Sequence, residues 1–295
     1  MAPSGEVFDL DTDGLRLAGE RWQGDPRNDP VLLLHGGGQT RHSWQRTAAR
    51  LASGGITTIA LDARGHGDSD WHPDEDYSLD GFVGDLVNFV NTLDRTPVLV
   101  GASLGGTTAL VAAGEHPGVA SAVVLVDIVV NPEPTGVARI TNFMTAHQDG
   151  FATLEEVANA IATYNPVRKR PRNLDGLRKN VRQRADGRWY WHWDPAFMRV
   201  EDEPQRRFDP TRLEAAAGRL TVPVMIVRGA QSDVVSDDAI EDMKRLIPHA
   251  TTCDVRAAGH MVAGDDNDVF TANLSQFLAS LSRDIDGQAS AHGRA

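Results

Sequence analysis

A chain of 295 residues is long enough for one large domain, or for one domain carrying a sizeable insertion. Its 41% hydrophobic and 24% charged residues match an ordinary globular protein, which excludes low-complexity and fibrous classes. With 29 basic against 41 acidic residues the net charge is −12, and this argues against a general affinity for nucleic acid or for an anionic membrane.

The opening MAPSGEVFDLDTDG has no basic segment followed by an apolar core, so no signal peptide is expected. No apolar run approaches the roughly 20 residues that span a bilayer. Two strands are predicted near 5–10 and 15–22, joined by the tight-turn sequence Asp11-Thr12-Asp13-Gly14. Val31-Leu32-Leu33-Leu34 follows as an unbroken apolar strand of the kind buried on both faces. Arg41 to Ser53 has helical spacing and ends at Gly54-Gly55; Ile56 to Asp62 reads as a strand. Ser78 to Leu93 is an amphipathic helix with Leu79, Phe82, Val83, Leu86 and Phe89 on its apolar face. Pro97 to Gly101 is a strand, Ser103 to Glu115 a helix of small residues, and Ala122 to Asp127 another strand.

After Asp127 the alternation breaks. Residues 130–218 show no convincing strand and hold three of the six tryptophans and the basic run Arg168-Lys169-Arg170-Pro171-Arg172, read as a solvated helix edge. The alternation resumes with a strand at 222–229, a helix at 237–247, a strand at 251–257 and a helix at 268–281. The pattern predicts an α/β body formed by 1–129 and 219–283, with a helical insertion at 130–218 and a disordered tail at 284–295. Cys253, the one cysteine, lies in a predicted strand as a packed thiol. With no intrachain disulfide possible, a cytoplasmic location is expected.

Chemistry concentrates where strands end. Ser103 in Gly101-Ala102-Ser103-Leu104-Gly105 stands at a strand-to-helix junction, where a strained nucleophile needs tiny neighbours two residues to either side. A glycine-rich turn with a capping serine is the competing reading, and the junction favours the nucleophile. Such a hydroxyl needs a general base. Of the ten histidines, His260 is placed best, just beyond the last predicted strand at the carboxyl edge that also carries Ser103. Two aspartates compete to orient that imidazole: Asp233, after the strand 224–228, and Asp127, after the strand 122–126. The chain order Ser, Asp, His holds for either aspartate; Asp233 is the expected acid, leaving Asp127 as a hinge of the insertion. Gly36-Gly37-Gly38 leaves another strand at the same edge, so Gly37 is the expected oxyanion donor beside the Leu104 amide, with Gly38 as the alternative.

The segments VLLLHGGG, ALDARGHGDSD, VLVGASLGG, VMIVRGAQSDVVS and AGHMVAGD occur in that order across nearly the whole chain, and together they resemble the α/β-hydrolase family. The resemblance implies an α/β-hydrolase fold: a mostly parallel eight-stranded sheet with helices on both faces and a helical cap inserted after the sixth strand. It also implies a Ser103–His260–Asp233 triad with no cofactor and no metal, and a scaffolding role for the loop from Asp62 to Ser69. Family members that open epoxides or displace halide use aspartate at the elbow, so Ser103 points to acyl transfer, and first to a carboxylic ester. The sequence is similar to hydrolases of monoalkyl esters of aromatic acids. Lactonase, carbon–carbon bond hydrolase and cofactor-free perhydrolase or haloperoxidase chemistry share the triad, and a non-catalytic ligand-binding protein on the same scaffold is the reading of another class. The expected partner is a small-molecule ester, with no nucleic acid or membrane, acting on a monomer or homodimer. Within the cap, Phe143, Arg139, Trp189, Trp191 and His192 are the candidate substrate-binding residues, with Arg139 or Arg188 available to hold a free carboxylate. The competing and favoured reading of the tryptophans is that they pack the cap onto the body.

Overall fold

The computed structural model describes residues 3–165, 173–199, 208–256, 258–260 and 268–292. The basic run 168–172 therefore lies outside the described residues. Strands β1 (Glu6–Thr12) and β2 (Leu15–Trp22) form the expected hairpin; Asp13 and Gly14 both take positive φ, the geometry of a two-residue turn whose twist suits the flanking strands. Then come β3 (Val31–Leu34), β4 (Thr58–Leu61), β5 (Val98–Ala102) and β6 (Ala122–Val126). The sheet is completed by β9 (Val224–Gly229) and β10 (Thr251–Val255) in the order β1-β2-β4-β3-β5-β6-β9-β10. β1, β2 and β4 are joined by antiparallel pairings, and every other neighbour pair is parallel. All residues of β3 to β6 are buried, because helices cover both faces and leave no polar side for alternation to mark.

On one face pack α2 (Leu79–Val90), α3 (Leu104–Glu115), α6 (Pro210–Gly218) and α7 (Asp237–Leu246), with Val83, Leu110, Leu213 and Met243 in a shared apolar cluster. On the other, α1 (Gln45–Ser53) and α8 (Asp268–His292) bring Ala48, Leu51, Phe270 and Leu274 against Trp22, Leu33 and Val100. Fully burying each such aliphatic side chain contributes about 1.5–3 kcal/mol. Helix α8 runs to His292, so the backbone expected to lack structure from 284 onwards begins as helix. No helix among the described residues is long and apolar enough to cross a membrane.

The cap supplies α4 (Pro134–Thr145) and α5 (Leu154–Tyr164), and also two strands that its sequence did not announce, β7 (Val181–Gln183) and β8 (Trp189–Trp191). Their turn contains Asp186-Gly187, and Phe151 extends the ladder through Trp189. Strands of three residues are too short for alternation to show in a sequence window. Helix α6, inside the span expected for the cap, packs on α3: Ala216 lies so close to Gly114 that a Cβ there would strike its backbone, and Arg212 pairs with Glu115 at 2.8 Å. A third apolar cluster joins cap to body, with Met144, Phe151, Trp191, Trp193 and Phe197 against Tyr77, Phe82 and Leu104.

Candidate active site

Parallel β3, β5, β6, β9 and β10 deliver their carboxyl ends to one edge, so the loops beginning at His35, Ser103, Asp127, Ala230 and Arg256 converge there. Ser103 is the hinge between β5 and α3, with φ +47° and ψ −116°, a conformation that side-chain-bearing residues avoid and that costs about 1–3 kcal/mol. What holds it is the surrounding backbone. Its amide donates to the Val126 carbonyl at 3.1 Å, its carbonyl accepts from Thr107 at 2.8 Å, and the Gly105 amide reaches the His35 carbonyl at 3.1 Å. Gly101 and Gly105 are required by close approach. A Cβ on Gly101 would penetrate the Gly105 carbonyl, and one on Gly105 would lie 2.5 Å from the Leu34 oxygen.

His260, at the same edge, bonds Asp127 and not Asp233. Its Nδ1 lies 2.7 Å from Asp127 Oδ2, so Nδ1–H donates and Nε2 is left outside this bond. Asp127 is fully enclosed, at 1% exposure, with positive φ. Its Oδ1 accepts from the Gly229 amide at 2.9 Å, and its Oδ2 also accepts from Ser232 Oγ at 2.6 Å. The expected His260–Asp233 pairing is not formed. Asp233 turns outward to a bidentate ion pair with Arg139 of α4, at 2.7 and 2.8 Å, and α4 approaches so closely that a Cβ on Gly136 would strike the Asp233 carbonyl. Opposite charge from the cap thus captures one aspartate, and Ser232, which no motif singled out, secures the other. The Ser103 hydroxyl has no hydrogen-bond partner among the described residues.

Gly36 runs alongside Ser103, since a Cβ on it would lie 3.3 Å from the Ser103 Cβ. The Gly36 amide donates to Gln39 Oε1 at 3.1 Å, while its carbonyl accepts from the Gln39 amide at 3.0 Å and from His35 Nδ1 at 2.8 Å. Because the Ala63 amide donates to His35 Nε2 at 2.9 Å, the proton of this neutral ring sits on Nδ1; burial holds His35 below the usual histidine range. A peptide is planar and trans, so fixing the Gly36 carbonyl on one side aims the Gly37 N–H to the other. Leu104, the first residue of α3, has an amide without an intrahelical acceptor. Met144, Phe197 and Trp193 cover Gly37 and Gly38.

The cap candidates divide. Phe143 stacks on Tyr164 (4.2 Å between centroids) and touches Trp191 (5.3 Å), and Trp191 stacks on Trp193 (4.9 Å). Trp189 is half-buried under Arg178. The tryptophans at 191 and 193 thus pack cap against body. Two of the expected ligand groups are committed elsewhere: Arg139 to Asp233, and Arg188 to the carbonyls of Asp149 and Gly150 at 2.7 and 2.8 Å. His192, also expected to face a ligand, is buried at 1% exposure, with both ring nitrogens bonded to backbone of the body. Asp62 is scaffolding: it accepts from the Arg41 and Asp68 amides at 2.6 and 2.9 Å and pairs with the Arg41 guanidinium. No group of three or more His, Cys, Asp or Glu among the described residues is arranged to hold a metal ion.

A family profile described as alpha/beta hydrolase fold matches residues 29–266. An esterase of Mycobacterium tuberculosis is 30% identical over 83% of this chain and 80% of its own length. A 3-hydroxybutyrate-oligomer hydrolase of Cupriavidus necator is 29% identical over 83% and 87%. Among solved structures, an E-2-(acetamidomethylene)succinate hydrolase superposes with a TM-score of 0.80 at 25% identity, covering 94% of this chain and all of its own.

Proposed function

The chain belongs to the α/β-hydrolase family and is a hydrolase of that type; from that premise we propose that it cleaves a carboxylic ester through an acyl-enzyme on Ser103. The observation that carries this reading is the His260–Asp127 hydrogen bond, formed at the sheet edge where the strained Ser103 begins α3. In the proposed reaction Ser103 Oγ attacks the ester carbonyl and His260 Nε2 takes its proton. Asp127 fixes the tautomer of the ring and stabilises the imidazolium. The Gly37 and Leu104 amides receive the developing oxyanion in a site dried by the cap, where fixed donors act most strongly. His260 returns the proton to the leaving alkoxide, and water then repeats the sequence to release the acid.

Met144, Phe197 and Trp193 over the glycine loop support a small apolar or aromatic acyl group. Because Arg139 and Arg188 are engaged within the protein, a free carboxylate on the substrate is not part of the proposal. A panel of p-nitrophenyl acetate and butyrate, simple lactones and vinylogous diketones, run on the wild type and on Ser103→Ala, tests it. An ester burst in the wild type with turnover reduced by about six orders of magnitude in the variant is expected. Full activity in Ser103→Ala would overturn the assignment, and preferred cleavage of the lactone or diketone would replace the substrate class.

A further inference from the structure

Three consecutive glycines leave Gly36-Gly37-Gly38 without side chains to anchor it, and glycine gives up more conformational freedom on ordering than any other residue. Yet an oxyanion donor works only when it is held before the charge develops. Two peptide planes flank the one joining Gly37 to Gly38. The first, carrying the Gly36 carbonyl and the Gly37 amide, is fixed from the body by His35. The second, carrying the Gly38 carbonyl, has a partner from a different part of the chain: His192 Nε2, at 3.2 Å, on the cap segment just after β8.

The protonation of that ring is set by its other nitrogen. The Gly67 amide donates to His192 Nδ1 at 2.8 Å, so Nδ1 carries no proton and Nε2–H donates to Gly38. His192 is enclosed, with Trp193 edge-on at 5.3 Å and His66 at 5.9 Å, and Arg182 from β7 bonds the neighbouring Gly67 carbonyl at 2.9 Å. The side chain is therefore held at both ring nitrogens and bridges the cap to two body loops. The Gly38 backbone, at φ +72°, lies beneath Trp193 and Met144, which also belong to the cap.

We propose that His192 is a positioning residue for the oxyanion loop: by donating to the Gly38 carbonyl from the docked cap, it makes a competent oxyanion hole depend on cap seating. The inference rests on the acyl-transfer reading of Ser103. It assigns the cap a part in turnover, through a bond to backbone that touches no substrate.

Two substitutions separate the bonds of the ring. His192→Asn keeps an acceptor near the Nδ1 position for Gly67 but loses the donor at Nε2. His192→Gln reaches the Nε2 position and can donate to Gly38. On p-nitrophenyl butyrate, His192→Asn is expected to lower kcat about a hundred-fold, the scale of one lost oxyanion donor, with KM changed by less than about threefold. His192→Gln is expected to recover most of that loss. A kcat for folded His192→Asn close to wild type overturns the inference, as does equal loss in both variants. Failure of both variants to fold also overturns it, since His192 would then serve packing alone. Ser103→Ala assayed in parallel keeps the two readings apart: an active Ser103→Ala removes the acyl-enzyme itself, whereas an inactive one beside an unimpaired His192→Asn removes only the positioning role.

Discussion

Asp127 directly follows β6 and Asp233 lies in the loop after the neighbouring parallel strand β9, at the same sheet edge, and what separates them is the partner each side chain meets. Asp127 is enclosed and accepts from Gly229, Ser232 and His260; Asp233 lies in a partly exposed ion pair with Arg139. Asp127→Asn keeps the volume but removes the charge that stabilises the imidazolium, and an amide there can hold the wrong tautomer. Its kcat on a p-nitrophenyl ester is expected to fall by about four orders of magnitude. Asp233→Asn is expected to stay within about threefold of wild type, because an exposed ion pair is worth only about 0–1 kcal/mol. Steady-state kinetics on the two variants decides between the acids, and the reverse pattern would restore Asp233. The positions of Ser103 at an elbow and of His260 at the same sheet edge can be read from the sequence because each is pinned by neighbours in the chain: small residues around a strand-to-helix turn, and a loop directly after the last strand. The carboxylate that meets His260 cannot be read this way, since Arg139 that captures Asp233 and Ser232 that secures Asp127 act across 94 and 105 positions. His192 was misplaced for a related reason. A polar ring beside tryptophans reads the same whether it faces a ligand or backbone carbonyls, until the fold supplies Gly38 and Gly67.

At the level of elements, the β5-Ser103-α3 elbow depends on two atoms that are missing. β5 and α3 approach so closely that a Cβ on Gly101 would overlap the Gly105 carbonyl and the Gly106 amide, which are backbone and cannot rotate away. Gly101→Ala should therefore destabilise the protein by about 1–3 kcal/mol, at the upper end because no flexible side chain can yield. In a chain of this size that lowers the thermal midpoint by several degrees, at about 2–4 °C per kcal/mol. Calorimetry checks it, and a midpoint equal to wild type would show that the helix can tilt to make room. Gly84, on the open face of α2 with nothing within 4 Å of a built Cβ, is the control; Gly84→Ala is expected to stabilise slightly. The buried strands and the long amphipathic helices of the body could be read directly, since each carries its own period or an unbroken apolar run. The β7–β8 hairpin could not, because its three-residue strands are too short to show a period and its bridge to Phe151 joins segments on either side of α5.

At the scale of the whole molecule, a pH dependence of stability is expected from buried histidines, of which His192 lies at the contact between cap and body. His35 and His192 are both enclosed and neutral, each with one nitrogen accepting from a backbone amide, so a second proton would break a hydrogen bond as well as charge a desolvated ring. Burial lowers both affinities for protons in the folded state, His192 strongly so, with the neighbouring imidazoles adding to the effect. Above the ordinary histidine pKa of about 6.5 both folded and unfolded chains leave these rings neutral, and their contribution to stability is fully present. Below it the unfolded chain takes up protons that the folded chain refuses, so stability falls by up to about 1.4 kcal/mol per pH unit for each ring until the folded value is reached. His42, also lowered by burial, acts in the same direction, whereas buried Glu20, whose pKa is raised, acts against them. Three rings against one carboxyl leave a net loss. The thermal midpoint is therefore expected to drop as pH is taken from about 7 to 5. His192→Gln should shed its share of that slope while keeping the bond to Gly38, so wild type and variant are compared across the same buffers. A midpoint flat over this range, or an equal slope in both proteins, would show that the rings accept protons without cost and that the cap junction is looser than its hydrogen bonds require.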